Sequence, residues 1–359
     1  MGRQPSMSYD SILLASFGGP EGPDDVIPFL ERVTEGRGVP HERLESVSQR
    51  YLRFGGVSPI NQQNRELMNA LHHELMDRGI DLPIYWGNRN WDPDFTDAIR
   101  TLDEDGHSRV LAIATSAYPS YSGCRQYREN IAAALDEAAA PQISIDMAFP
   151  YSNRHGFTAH IIEVLANALV YLVNDNHMES AIDVLFTTHS LPVTSAESSG
   201  PEPHNSPGLY LQQHEEAIAK VMRVVGIATG LHPRSRLVFQ SRSGSPETPW
   251  LEPDVNDALR ELAAEGQSTA VVLVPIGFVS DHIEVLWDLD TEAMATAEEL
   301  NLACVRIPTP GTSPAFVSAL ADLIEDARIG QPTRTDLIDL CSGTCCPNPR
   351  AELPTIPGV

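Results

Sequence analysis

Ala270-Val271-Val272-Leu273-Val274-Pro275 decides the fold class of this chain. Apolar residues stand side by side there, without the alternation of a strand that has one wet face. That pattern belongs to a parallel strand covered on both faces. Seven further short runs share it: Ser11–Ser16, Pro83–Gly87, Val110–Thr115, Ile143–Ala148, Ile182–Thr187, Leu237–Gln240 and Cys304–Ile307. Amphipathic stretches separate them. In 61–78, Leu67, Leu71 and Leu75 recur every four residues before Gly79 ends the pattern, and 208–225 reads as a second long helix. The order βαβα implies parallel sheets with helices on both faces. Eight strands are enough for one closed barrel, but they also divide four and four. The even division favours two doubly wound domains, each with a four-stranded parallel sheet and flanking helices. Their expected bounds are residues 1–150 and 151–329, with the last helix returning to the first domain. A cysteine-containing tail, 330–359, is rich in Pro, Thr and Gly and is expected to be a loop ordered by its cysteines.

Composition narrows the function. The 359 residues suffice for two cores, and 42% of them are hydrophobic. Acidic residues outnumber basic ones 49 to 24, a formal charge of −25. Such a chain has no basic excess with which to bind nucleic acid or an anionic membrane surface. No apolar run approaches the roughly 20 residues of a membrane span, so stable membrane insertion is not expected. Residues 1–10 lack the basic and apolar regions of a signal peptide. A cytoplasmic enzyme with reduced thiols follows, and a monomer is expected because no heptad is visible. The five cysteines, Cys124, Cys304, Cys341, Cys345 and Cys346, argue against a disulfide framework by their odd number.

Ligands of such sheets bind at the carboxyl ends of the strands. Beyond Ile182–Thr187 comes Thr188-His189-Ser190-Leu191-Pro192, whose imidazole suits general-base work, although a histidine there can equally cap backbone groups. Beyond Ala270–Pro275 comes a helix with Ser280 or Asp281 as N-cap. It carries Glu284, Asp288 and Glu292 at i, i+4 and i+8, on one face. Three stacked carboxylates repel one another and call for a cation or a proton, unless they form a solvated acidic face. Carboxylate, imidazole and water suit ferrous iron. No G-x-G-x-x-G follows the first strand, and Pro20 removes a donor that a dinucleotide phosphate would use.

Thr188–Pro192 and 275–290 resemble the two signature segments of the ferrochelatases. Phe17-Gly18-Gly19-Pro20, Gly55-Gly56-Val57-Ser58-Pro59-Ile60, Gln240-Ser241-Arg242 and Pro249-Trp250-Leu251-Glu252-Pro253 are similar to other family segments, in family order from about residue 9 to 327. The resemblance implies a chelatase-like fold of two Rossmann-like domains and the insertion of Fe²⁺, the metal substrate, into a porphyrin. It implies His189 and Glu284 as catalytic pair and iron ligands, with Asp288 and Glu292 as auxiliary carboxylates. Phe17, Ser58, Tyr127 and Trp250 become porphyrin contacts, with Arg37, Arg43 and Arg53 as weaker anchors for the propionates. Many bacterial relatives have tyrosine where Phe17 stands, so axial coordination from that side is not expected here. Four thiolates suit a 2Fe–2S cluster. The family arrangement, one internal cysteine and three near the C-terminus, implies Cys124, Cys341, Cys345 and Cys346; a four-cysteine zinc site or unused thiols are the alternatives. Cys304 reads as a small buried hydrophobe. Coproporphyrin III is the expected substrate and protoporphyrin IX the alternative. A downstream haem-synthesis enzyme is a possible recipient of product. A cobalt or nickel chelatase and a non-catalytic porphyrin carrier are the other readings.

Overall fold

The computed structural model describes residues 9–202, 207–243, 247–330 and 344–359. Eight strands form: β1 (Ser11–Ser16), β2 (Ile84–Asn88), β3 (Arg109–Ala114), β4 (Ser144–Met147), β5 (Ile182–His189), β6 (Arg234–Gln240), β7 (Ala270–Val274) and β8 (Ala303–Arg306). They make two all-parallel four-stranded sheets, ordered β2-β1-β3-β4 and β6-β5-β7-β8. No strand joins the two, so the barrel is excluded among the described residues. Each expected strand is present, with ends displaced by up to three residues. The two helices read from the sequence run over Ile60–Asp77 and Leu209–Thr229.

The unalternating runs are explained by burial on both faces. Every residue of β1 and β7 is buried. In the first sheet Leu13, Val110 and Ala112 pack with Ile99, Leu102 and Ile131 from the flanking helices. In the second, Leu185, Val271 and Leu273 pack with Leu259, Leu262 and Leu289. Each fully buried Leu or Val contributes about 1.5–3 kcal/mol, offsetting the entropy of ordering the chain.

The chain divides into two compact units. One contains the chain to Tyr151, a short return at Gly200, and everything described from Val317 onward; the other contains 152–199 and the chain that follows to Phe316. In the first unit Arg78 pairs with Asp322 (2.6 Å) on the last helix, Pro314–Arg328. The tail is more than a loop held by cysteines. Gly358 bridges Met147 in parallel at the β4 edge. Met147 N–H donates to Pro357 O (2.8 Å) and Val359 N–H to Met147 O (2.9 Å). Ile356 enters the first core. An exposed sheet edge is thereby paired.

One expectation needs correction. The helix His155–Asn174 is long and apolar enough to cross a membrane, with a mean hydropathy of 1.6. Its composition has a local cause: Phe157, Ile161, Leu165, Leu169 and Leu172 are buried, and Phe157 stacks edge-on with Phe316 at 6.0 Å. The helix packs against Leu209–Thr229.

Candidate active site

β5 carries His189 at its carboxyl end, paired in register with Gln240 of β6. Its main-chain carbonyl accepts from Tyr210 Oη (2.8 Å), which also bonds Thr188 Oγ1 (2.7 Å). Imidazole Nδ1 lies 2.6 Å from the Ser190 carbonyl. A carbonyl only accepts, so Nδ1 must carry hydrogen and the neutral ring keeps its lone pair on Nε2. That Nε2 lies 3.7 Å from Glu284 Oε2. Burial pulls the imidazole pKa down, but the Glu284 hydrogen bond and charge, the Ser190 carbonyl and the Asp288 charge outweigh it, and the pKa is raised. The side chain remains 35% exposed, enough to meet a ligand.

The close approach of the β7 turn makes this arrangement possible. A Cβ on Gly277 would lie 2.6 Å from the Thr188 Cβ and 2.9 Å from its Cα. Gly277→Ala should therefore displace the strand end beneath His189, costing about 1–3 kcal/mol, as overpacking does. A denaturant midpoint equal to that of the parent would refute this.

The helix beyond β7 differs in kind from the one expected. Its N-cap is His282, without a side-chain cap bond, because Asp281 instead accepts from Arg306 Nη2 (2.6 Å) and Thr309 Oγ1 (3.3 Å). After one turn at Ile283–Val285 it widens into a π-helix over Leu286–Ala293. Wide turns of this kind are rare and often fall at functional sites. Asp288 is buried; it accepts from Gln240 Nε2 (3.5 Å) and, at very short range, from Ser241 Oγ. Ser241 takes a left-handed backbone (φ 60°) to do so. Glu284 is exposed and Glu292 half-buried. The carboxylates thus pass from an exposed one beside His189 to a buried one tied to β6. Trp250 joins the same neighbourhood: Pro192 and Trp250 form an antiparallel bridge, and Leu251 N–H donates to Leu191 O (2.9 Å).

His282 joins this group without a motif role in the sequence. Burial draws its imidazole pKa down against the raising charge of Glu284; the His189 and Asp281 charges act on it too. A second imidazole, readily neutral, therefore stands beside the pair. Its position two residues before Glu284 was the available signal.

In the first unit, Phe17 directly follows β1 and is 37% exposed, edge-on to Phe29 at 6.3 Å. Two glycine-bearing segments meet here. Gly18 takes φ +80°, and a Cβ on Gly19 would lie 2.6 Å from the Ser58 Cβ. Ser58 N–H donates to Pro20 O (2.8 Å), and Ser58 is buried. Tyr127 is buried in the first core, hydrogen-bonded with Thr115, and Arg89 stacks over its ring at 3.7 Å. The guanidinium thus covers one face of the Tyr127 ring. Arg37, Arg43 and Arg53 are exposed.

Three of the four expected cluster cysteines are described, and all three are buried; Cys341 lies outside the described residues. Cys124 occupies the turn Tyr121–Arg125 after β3. Burial, then the charge of Cys345, pushes its thiol up to about 12, against Arg128 and Arg125. Cys346 is raised by its hydrogen bond with Cys345, by burial and by the charges of Cys124 and Cys345. The three thiols therefore lie within electrostatic reach of one another. Arg128 Nη1 donates to Cys345 Sγ (3.7 Å) and Gly200 N–H to Cys346 Sγ (3.1 Å). Cys304 stands apart in β8, half-buried, its thiol raised to about 12 by burial and Asp290. No group of three or more metal-ligating side chains with coordinating geometry occurs among the described residues.

The ferrochelatase family model matches residues 9–328, and the chain belongs to that family. It is 48% identical over 364 residues to the coproporphyrin III ferrochelatase of Streptomyces griseus subsp. griseus, covering 98% of this chain and 96% of that protein. With the coproporphyrin III ferrochelatase of Leifsonia xyli subsp. xyli it shares 50% over 363 residues, 96% and 92% of the two chains. Among solved structures, the sirohydrochlorin chelatase SirB from Bacillus subtilis subspecies spizizenii, in complex with cobalt, superposes with a TM-score of 0.47 at 11% identity, covering 89% and 94%.

Proposed function

We propose that this enzyme inserts ferrous iron into coproporphyrin III, giving Fe-coproporphyrin III on the path to haem b, in the cytoplasm. The near-full-length likeness to proteins of that name supports the substrate. The observation that carries the chemistry is the His189–Glu284 pair at the carboxyl end of β5. Metalation must remove two pyrrole protons and admit a metal stripped of water. Neutral His189 Nε2, its tautomer set by the Ser190 carbonyl, is a base for a pyrrole N–H. Glu284 stabilises the imidazolium that results. Protons then leave, or Fe²⁺ arrives, along Glu284, Asp288 and Glu292, whose hard oxygens suit a divalent ion. Within the first unit, Phe17 is proposed as an apolar porphyrin contact and Ser58 as a polar one; within the second, Trp250 is proposed as an apolar contact. Anaerobic Fe²⁺ insertion into coproporphyrin III and protoporphyrin IX, followed in parallel by absorbance, tests the reading. Faster metalation of coproporphyrin is expected. Preference for protoporphyrin would overturn the substrate, and binding without metalation would favour a carrier.

The residue types suit a 2Fe–2S cluster in chemistry: three buried thiols lie within electrostatic reach of one another, with the Gly200 N–H and two guanidiniums to offset thiolate charge. We propose Cys124, Cys345 and Cys346 as ligands, with Cys341 as the fourth. When bound, the cluster would supply a cross-link between the tail and the turn after β3. Cys346→Ser should give colourless protein that unfolds at lower temperature. A brown protein of unchanged Tm would contradict this, and one equivalent of zinc in the parent would identify the alternative metal.

A further inference from the structure

The tail brings a third charge to a basic cluster that the rest of the site leaves unmatched. Arg89 follows β2, its guanidinium 3.7 Å from the Tyr127 ring centroid and 6.0 Å from that of Phe17. Its contacts are to neutral acceptors, Ser122 O (3.0 Å) and Gln126 Oε1 (3.3 Å), and its buried Nε has no hydrogen-bond partner. Arg37 and Arg350, both exposed, lie within electrostatic reach of one another, and Arg350 and Arg89 both within reach of Tyr121. Desolvation, then the Arg350 charge, lowers the Arg37 pKa. Arg89 is likewise lowered by burial, with Arg37 among its opposing charges. The carboxylate among their neighbours is Glu129, and it is already engaged by Arg125 Nε (3.0 Å), Tyr121 Oη (3.2 Å) and Asn348 Nδ2 (3.0 Å). None of the three arginines forms an ion pair among the described residues.

Three guanidiniums without a carboxylate of their own repel one another. In a chain with 49 acidic and 24 basic residues, such a cluster is conspicuous. An anionic ligand would relieve it, and guanidinium binds carboxylate well. The exposed Phe17 ring alongside adds an apolar surface, so the ligand is an aromatic body with carboxylates at its edge.

The placement of Arg350 depends on the tail. Arg350 N–H donates to Asn348 Oδ1 (3.0 Å), and Asn348 is bound to Glu129. On one side the turn is held by the sulfurs of Cys345 and Cys346. On the other, Arg128 Nε donates to Ile356 O (2.7 Å). We propose that Arg350 joins Arg37 and Arg89 in binding substrate carboxylates beside Phe17, so that the thiol-held tail governs porphyrin affinity. This rests on the porphyrin reading above and adds a role for the tail: whatever dismantles the thiol site also removes a substrate anchor.

The test is the Kd of the full-length protein for coproporphyrin III without iron, from porphyrin fluorescence, with visible absorbance reporting the cluster. Arg350→Glu should raise Kd about tenfold or more with the absorbance retained, and Arg350→Ala by a smaller factor. Arg350→Lys should recover most of the affinity. Cys346→Ser should raise Kd by at least as much as Arg350→Ala, and adding Arg350→Ala to it should change nothing further, since coupled sites are non-additive. Unchanged Kd in Arg350→Glu, Lys no better than Ala, or additive losses would each overturn the proposal. A parent protein that fails to bind coproporphyrin would sink the substrate reading itself, a distinguishable result.

Discussion

His189→Ala is expected to lower the rate of Fe²⁺ insertion by about 10³-fold or more, while coproporphyrin binds with nearly the parental Kd. A positioned acid or base contributes about 10²–10⁴ in rate. Here the same imidazole also faces the carboxylate proposed to bring the metal, so its removal affects both halves of the reaction. Folding should survive. The His189 main-chain carbonyl, not the ring, holds Tyr210, and the side chain is partly exposed rather than packed in a core. Stopped-flow metalation beside fluorescence binding separates the outcomes. A variant that metalates at near-parental rate would remove His189 from the chemistry. A variant that neither binds nor metalates would place its role in binding.

How much of this was legible beforehand follows from which forces are local. The central strands were readable because burial on both faces demands unbroken apolar runs, as in β1 and β7, and the short length of the runs sets them apart from buried helices. The position of His189 followed, since a residue just past a buried strand has one place to be. The π-helix was not readable. Carboxylates at i, i+4 and i+8 suit an α-helix, and the widening depends on tertiary partners. These are Arg306 drawing Asp281 away from the cap, with its Nε 3.2 Å from Asp290, and Ser241 and Gln240 holding Asp288. The tail's pairing with β4 escaped for a similar reason. Residues 355–359 lack strand-like character, and their bonds are made by a sheet edge two hundred residues away. Arg89 escaped because an arginine after a strand looks like any surface arginine until Tyr127 is seen beneath it.

Glu284→Gln should cut the metalation rate by roughly 10²-fold, in the range of an acid–base partner, and should move the acid limb of the pH–rate profile to lower pH. The sign comes from the pair. In the parent, Glu284 raises the His189 pKa. The reactive form is the neutral imidazole, so activity rises as pH climbs through that raised value. Glutamine keeps the shape and one acceptor but removes the charge, leaving burial, which lowers the imidazole pKa, less opposed. The neutral base is then present at more acid pH, although each turnover is slower because the imidazolium formed is no longer stabilised. The opposing effects make the experiment discriminating. If Glu284 only delivers iron, without influence on His189, the rate falls but the acid limb stays in place, and high Fe²⁺ restores the rate. If Glu284 supports the base, the limb shifts and added iron cannot recover the loss. The raised pKa also predicts that the pair's contribution to folding stability is fully present at pH below the unfolded histidine value. That contribution disappears as pH rises through the folded one. Glu284→Gln should accordingly lose its stability deficit in alkaline solution while its catalytic deficit persists.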